Sequence, residues 1–334
     1  MSRPGNRTVA LLLGLLTAPL FAQPAASRPG SSLPAKLSWV EFSVVLGRLH
    51  ALNAHYGQSL SNTEEDPEAG WRETLSINVS DGHPTVLYES RDPSQVLHAS
   101  FSAAGDASIE RRPVGEAVFP PVVLTQPVEG PITFVVGEGD AVFRYEGETV
   151  WHLFLDQPEV CELHLVPALQ FLRPDWPIAK TAQQVENQVL DRARTTTVDH
   201  RRHWQTLVDE LGSARFSERR AAQQQLRRIG QPVAVFLRQL DKDTLDAEQC
   251  RRVRELTRAL ATTTADTPTR VAAWMVDDRD AWMILLSRND ARVRSVAARH
   301  LSRVLGEPID FDPDATADTR REQIARLQTS LTKN

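Results

Sequence analysis

The amino-acid sequence predicts an α+β chain of two domains: an antiparallel β-sheet domain preceded by a helix, then an α-helical domain of stacked helix pairs. Three observations carry this. Apolar residues recur with a period of 2 between Trp71 and Val166, and with a helical period after Pro177. A helix-pair pattern repeats at a fixed interval in the second half. Charge is divided as well: residues 36–160 hold 7 Lys/Arg against 19 Asp/Glu, whereas residues 192–258 hold 15 against 9.

The 334 residues fall into four stretches. Residues 1–22 read as a signal peptide. Arg3 and Arg7 supply the positive start, Val9 to Leu16 (VALLLGLL) the apolar core, and Leu20-Phe21-Ala22 a cleavage site near Ala22. That core is far short of the roughly 20 residues a membrane span requires. No Cys follows it for lipid attachment, so export to the periplasm, cell surface or medium is expected. Residues 23–35 form a flexible mature N-terminus, residues 36–175 the acidic β-rich domain, and residues 176–334 the helical domain. No later segment is expected to span a membrane.

Lys36 to Tyr56 reads as an opening helix, because Leu37, Val40, Val44, Leu46 and Leu49 recur at helical spacing. Strands follow where Leu75, Ile77 and Val79 alternate, then Ile132, Phe134 and Val136, then Trp151, Leu153 and Leu155. Asp81-Gly82, Gly137 to Asp140, Glu146-Gly147 and Gln157-Pro158 mark turns between them. The last four strands, 132–136, 141–145, 149–155 and 160–166, are joined so tightly that they should form an antiparallel meander. The helices are expected at Ala182–Arg194, His200–Leu211, Glu218–Ile229, Pro232–Leu240, Ala247–Ala261, Arg270–Met275, Ala281–Leu286, Ala291–Leu305 and Thr319–Leu331.

Leu207, Leu211, Arg219, Ala222, Leu226 and Ile229 are matched, 75 residues on, by Trp282, Leu286, Arg294, Ala297, Leu301 and Val304. One such unit cannot bury its apolar face alone, so stacking supplies the core. The repeated Arg is expected to cap or salt-link the turn before its helix. The stretches ARFSERRAAQQQLRRIGQPV and NDARVRSVAARHLSRVLG resemble HEAT-like repeats, and more narrowly those of exported planctomycete proteins of unknown function. The closing LGEPIDFDPDATADTRREQIARLQ resembles the tail that follows the last repeat in those proteins. The resemblance covers about Leu207 to Leu331. It implies a surface for binding another protein and carries no catalytic residues.

The candidate binding face consists of Arg201, Arg202, Arg219, Arg220, Arg227, Arg228, Arg251 and Arg252. It could meet an anionic protein partner, or the acidic β-domain could dock on it within the chain. Export and the scarcity of aromatics among these arginines argue against nucleic acid.

Other chemistries lack their residues. His200 and His203 share a helix face, but Arg201 and Arg202 lie between them and no third ligand is evident. Cys161 and His164, on an expected strand, would point to opposite faces. Asp310, Asp312, Asp314, Thr316 and Asp318 alternate as in a calcium loop, but Pro313, Ala315 and Arg321 spoil the pattern, and capping acids before a helix explain it. Gly137-x-Gly139 leads into a strand, unlike a dinucleotide fingerprint. Cys161 and Cys250 are expected as two free thiols. No catalytic residue, cofactor or metal is assigned. The expected function is an exported, non-catalytic interaction or scaffold protein. The alternatives are a β-domain that binds a small molecule, glycan or cell-surface polymer, and a hydrolase with a carboxylate or histidine site in that domain.

Overall fold

The computed structural model describes residues 32–53, 58–80, 83–139, 141–195 and 200–331. The expected signal peptide, most of the 23–35 stretch and the Asp81-Gly82 turn lie outside the described residues.

A short helix α1 (Leu33–Leu37) opens this part of the chain. The rest of the expected first helix is instead a hairpin of β1 (Val40–Val45) and β2 (Arg48–Asn53). Its β-branched and aromatic residues suit a pleated surface, and their apolar spacing matched a helix only by coincidence. The turn is Leu46-Gly47, at φ 50° and 75°. A primed hairpin turn needs positive φ at both positions, which Leu resists. The cost is offset by Asp266, whose carboxylate accepts from Leu46 N at 2.9 Å, Gly47 N at 2.7 Å and Trp151 Nε1 at 2.7 Å. Successive amides in such a turn form a concave anion seat, here filled from 219 residues away.

An eight-stranded antiparallel meander follows, each strand beside its sequence neighbour. It comprises β3 (Leu60–Asp66), β4 (Trp71–Ser80), β5 (His83–Arg91), β6 (Gln95–Ser102), β7 (Ala107–Pro113), β8 (Val122–Gln126), β9 (Ile132–Val136) and β10 (Phe143–Gly147). One row of directly opposed residues crosses seven strands: Leu75, Tyr88, Ala99, Ile109, Leu124, Phe134 and Tyr145. The first six are buried. Each large side chain among them contributes roughly 1.5–3 kcal/mol on leaving water. The opposite face carries exposed hydroxyl pairs, Ser61–Ser76 and Thr63–Thr74, so only one face joins the core. The β1–β2 hairpin packs there, with Phe42 and Phe101 at 5.1 Å between ring centroids.

The expected strands 149–155 and 160–166 are helical. Val150 to Leu155 is buried at every position and forms α2 (Val150–Asp156), capped by the Thr149 side chain. The period of 2 matches alternate members of a run that is buried at every position, His152 included. Next come α3 (Pro158–Val160), a π-helical segment (Cys161–Leu165) and α4 (Val166–Leu172). Cys161 and Leu165 are buried while Leu163 is 67% exposed, a pattern of helix and not of strand.

The C-terminal side is a stack of helices: α5 (Ile178–Thr195), α6 (His200–Glu210), α7 (Phe216–Ile229), α8 (Gln231–Gln239), α9 (Ala247–Ala259), α10 (Pro268–Met275), α11 (Arg279–Leu285), α12 (Ala291–Leu305) and α13 (Ala317–Leu331). All nine expected helices are present. No helix among the described residues is long and apolar enough to cross a membrane.

The apolar interior has two parts. The larger runs without a break from the sheet through α2 and α5 into α10, α11 and α12. The smaller lies within α6 to α9, built from residues such as Trp204, Leu207, Leu226, Phe236 and Leu256.

Candidate functional site

The repeat spacing has an atomic counterpart. Arg219 Nη1 donates to Ser213 O at 2.6 Å and Ala214 O at 3.0 Å. Arg294 Nη1 donates to Arg288 O and Asn289 O, both at 2.7 Å. In each copy the guanidinium closes the carbonyls six and five residues back, where the preceding turn would otherwise leave them open. Ala222 and Ala297, and Leu226 and Leu301, are all fully buried.

The eight arginines of the expected face separate into two groups. Five are engaged by partners of the helical side itself, four of them across turns or between helices and Arg251 within α9. Arg252 is buried, donating to Glu248 Oε1 and to Gln223 Oε1, both at 2.6 Å. Arg251 reaches Glu248 and Glu255, and Arg219 lies 3.6 Å from Glu248. Hydrogen bonds from Arg251 and Arg252 hold the Glu248 carboxyl down at about 2. The carboxylate partners of these three are on α9, so the acidic sheet does not supply them. Arg201 rests over the Phe236 ring beside Asp278, and Arg202 donates to Leu305 O at 2.8 Å, at the C-terminus of α12. The other three, Arg220, Arg227 and Arg228, are exposed and make no ion pair among the described residues. They share α7 with Phe216, a large apolar side chain left 62% exposed. Phe216, Arg220 and Arg227 follow one another at i, i+4 and i+11, a single stripe along the helix.

A second basic region, missed in the sequence, lies where the sheet's turns meet α8 and α9. It is a cleft of about 360 Å³ lined by Arg48, His50, Glu129, Glu148, Arg238, Lys242, Arg254 and Arg258 among others. Arg254 and Arg258 stand one helical turn apart on α9, beyond the Arg251-Arg252 doublet. Their spacing was the available signal.

Behind the cleft is a buried polar row. Thr149 Oγ1 is 2.8 Å from His152 Nδ1, and His152 Nε2 is 3.5 Å from Asp278 Oδ1. Burial, the largest single effect, would lower the His152 pKa, but the charge and hydrogen bond of Asp278, with the Asp280 and Glu148 charges, together outweigh it and the net direction is up. Asp278 goes the opposite way: burial would raise it, while His152, Arg201 and a 3.0 Å bond from Gln239 lower it. The order hydroxyl, imidazole, carboxylate is that of a nucleophile triad. Here, however, Thr149 caps α2, Asp278 caps α11, and His152 and Asp278 are 2% and 3% exposed. The row fastens α2 to α11.

The remaining sequence candidates go to structural uses. His200 stacks on Trp204. In the Asp-rich loop, Asp312 accepts from Asp314 N at 2.9 Å, Asp318 pairs with Arg321, and Thr316 receives Thr319 N at the start of α13. Cys161 and Cys250 are free thiols, and burial pushes the Cys161 thiol up to about 12. Cys161 and His164 lie on a helical segment and not a strand, with Cys161 buried and His164 partly exposed. Among the described residues, no group of three or more His, Cys, Asp or Glu could hold a metal ion.

Comparison with protein-family models, curated proteins and solved structures finds no match for this chain.

Proposed function

We propose that the protein is an exported, non-catalytic interaction module whose outer helix α7 docks an acidic segment of another protein. The observation that carries this is the α7 stripe. Phe216 is 62% exposed, and the unpaired Arg220, Arg227 and Arg228 accompany it on the same helix. Aromatic and Arg side chains supply most of the energy at protein interfaces, and an unneutralised cationic row steers an acidic partner. The neighbouring arginines are neutralised by Glu248 and Glu255, so the charge on α7 is left over after the stack's own pairing. Export rests on the residue 1–22 pattern, and the non-catalytic reading is supported by the burial of the Thr149–His152–Asp278 row.

The test is fluorescence anisotropy with a labelled glutamate-rich peptide of about a dozen residues. Wild-type protein should bind it with an affinity that falls steeply with salt. The triple variant Arg220→Glu, Arg227→Glu, Arg228→Glu should bind at least tenfold more weakly. Equal binding by wild type and variant removes α7 as the docking surface.

A further inference from the structure

The cleft between the sheet's turns and helices α8 and α9 has no part in that docking reading, and no α7 residue lines it. We propose that it is a binding site for a small ligand carrying two or more anionic oxygen groups, phosphate or carboxylate.

The cleft wall on the sheet side is built in advance. Gln126, itself buried, accepts from Leu49 N at 2.8 Å and donates to Leu49 O at 2.9 Å and Gly105 O at 2.8 Å. One side chain thereby joins the start of β2, the β6–β7 turn and the end of β8. Arg48 is 8% exposed and donates to Gly130 O at 3.0 Å and to Pro127 O, which fixes the β8–β9 turn. Its Nε is buried without a hydrogen-bond partner. A buried N–H left unmade is costly, and an oxyanion in the cleft is the group that would satisfy it. The helix side is cationic: Arg238, Arg254 and Arg258 line it and make no ion pair among the described residues. Two carboxylates share the cleft. Glu129 is taken by Lys242, while Glu148, its pKa raised chiefly by burial, remains to accept a ligand hydroxyl.

His50 reports on this charge. Its pKa is lowered to about 4 by burial, then by Arg238 and Arg48. The imidazole is therefore neutral above that value: Arg48 and Arg238 keep it so even though Glu148 acts on the first and Asp266 on the second. An anion between them would relieve the repulsion. The volume of about 360 Å³ falls at the lower end of small-molecule sites and is too small for a folded partner.

The experiment is isothermal titration calorimetry of the full chain with inorganic pyrophosphate and, separately, citrate, each against sodium chloride of equal ionic strength. The two arms distinguish phosphate from carboxylate recognition. Binding of at least one probe is expected, weakened at least tenfold by Arg254→Glu with Arg258→Glu, and by a smaller factor in the milder Arg258→Ala. Arg227→Glu with Arg228→Glu makes the same charge change on α7 and should leave probe affinity within about twofold. In parallel, the His50 imidazole, followed by NMR, should titrate above 4 when the probe is bound. Arg238 and Arg48 act on it directly, Lys242, Arg254 and Arg258 line the same cleft as cations and Glu129 and Glu148 as carboxylates, so an anion among them is what moves it upward. No heat above chloride for either probe, or equal weakening by the α7 and α9 variants, overturns the proposal. The glutamate-rich peptide tests α7 alone, so either reading can fail without the other.

Discussion

Helices α7 and α12 occupy the same place in the two copies of the 75-residue pattern, yet they meet very different surroundings. Their inward residues agree: Ala222 with Ala297, Leu226 with Leu301, and the clamping Arg219 with Arg294. Their outer residues do not. Where α7 has Phe216, Arg220, Gln223 and Arg227, α12 has Ala291, Ser295, Ala298 and Ser302, all small and partly buried. Ser295 and Ser302 turn their hydroxyls back to their own helix, at 2.8 Å and 2.9 Å. The α12 copy is sunk in the core shared with the sheet, whereas the α7 copy closes a separate, smaller core. The frame is therefore common to both copies, and the large basic and aromatic side chains of α7 are not something the frame demands.

The largest test of this difference is cavity creation in each copy. Trp282 is fully buried, donates to Val276 O at 2.6 Å and lies 4.5 Å from the His300 ring. Trp282→Ala should cost about 4 kcal/mol and lower the unfolding of sheet and helices together. Leu207, at the matching place, is 2% exposed, and Leu207→Ala should cost about 3 kcal/mol. Its effect should be local: hydrogen exchange quickens in α6 to α9 while the sheet amides stay protected. Uniform loss of protection in both variants would show that the two cores unfold as one.

The His152–Asp278 pair, which belongs to the embedded side, should come next. Asp278→Asn keeps the helix cap but removes the charge, at about 3 kcal/mol. The pH dependence follows from both directions of shift. His152 is raised above 6.5, so its share of stability is present below 6.5 and lost as pH rises through its folded value. Asp278 is lowered below 3.8, so its share is present above 3.8 and lost as pH falls through its own folded value. Urea unfolding of wild type and Asp278→Asn should therefore differ most between pH 3.8 and 6.5 and converge on the alkaline side. A gap that widens at pH 9 would show that the pair is not ionised as described.

The arginine clamps should differ more modestly. Arg294 is 5% exposed and also donates to Pro313 O at 2.7 Å, tying in the loop before α13. Arg294→Ala is expected to cost about 2 kcal/mol by thermal or urea unfolding, and Arg219→Ala about 1 kcal/mol, since Arg219 is partly exposed and closes one turn only.

Much of the helical half was readable because stacked helices repeat one pattern, and an Arg at a fixed place in that pattern meets the same carbonyls each time. The β-meander was readable where the face toward solvent is polar, as in β4. Legibility ended where burial is complete. Val150 to Leu155 is buried throughout, His152 included, so neither period stands out, and the β1–β2 hairpin depends on a Leu46-Gly47 turn held by Asp266 from a distant part of the chain. The cleft depends on contacts between parts of the chain far apart, Arg48 and Arg254 for example, that no local pattern relates. The Arg251-Arg252 doublet pointed to α9 but not to Arg254 and Arg258, the residues of that helix that line the cleft.

The smallest effect on stability is the one that most sharpens the comparison. Arg227→Glu with Arg228→Glu alters exposed side chains in the last turn of α7 that make no ion pair among the described residues, so the unfolding free energy should fall by no more than about 1 kcal/mol, the share of their favourable place at the helix end. The corresponding residues of α12 are Ser302 and Arg303, and Ser302 receives Ile309 N at 3.3 Å while donating within its own helix. Ser302→Glu should therefore destabilise by more than the double change on α7. If the α7 variant keeps its stability but loses the glutamate-rich peptide, those arginines are held for something outside the chain. If it loses stability instead, Arg227 and Arg228 serve the fold, and α7 and α12 differ only in how each is packed.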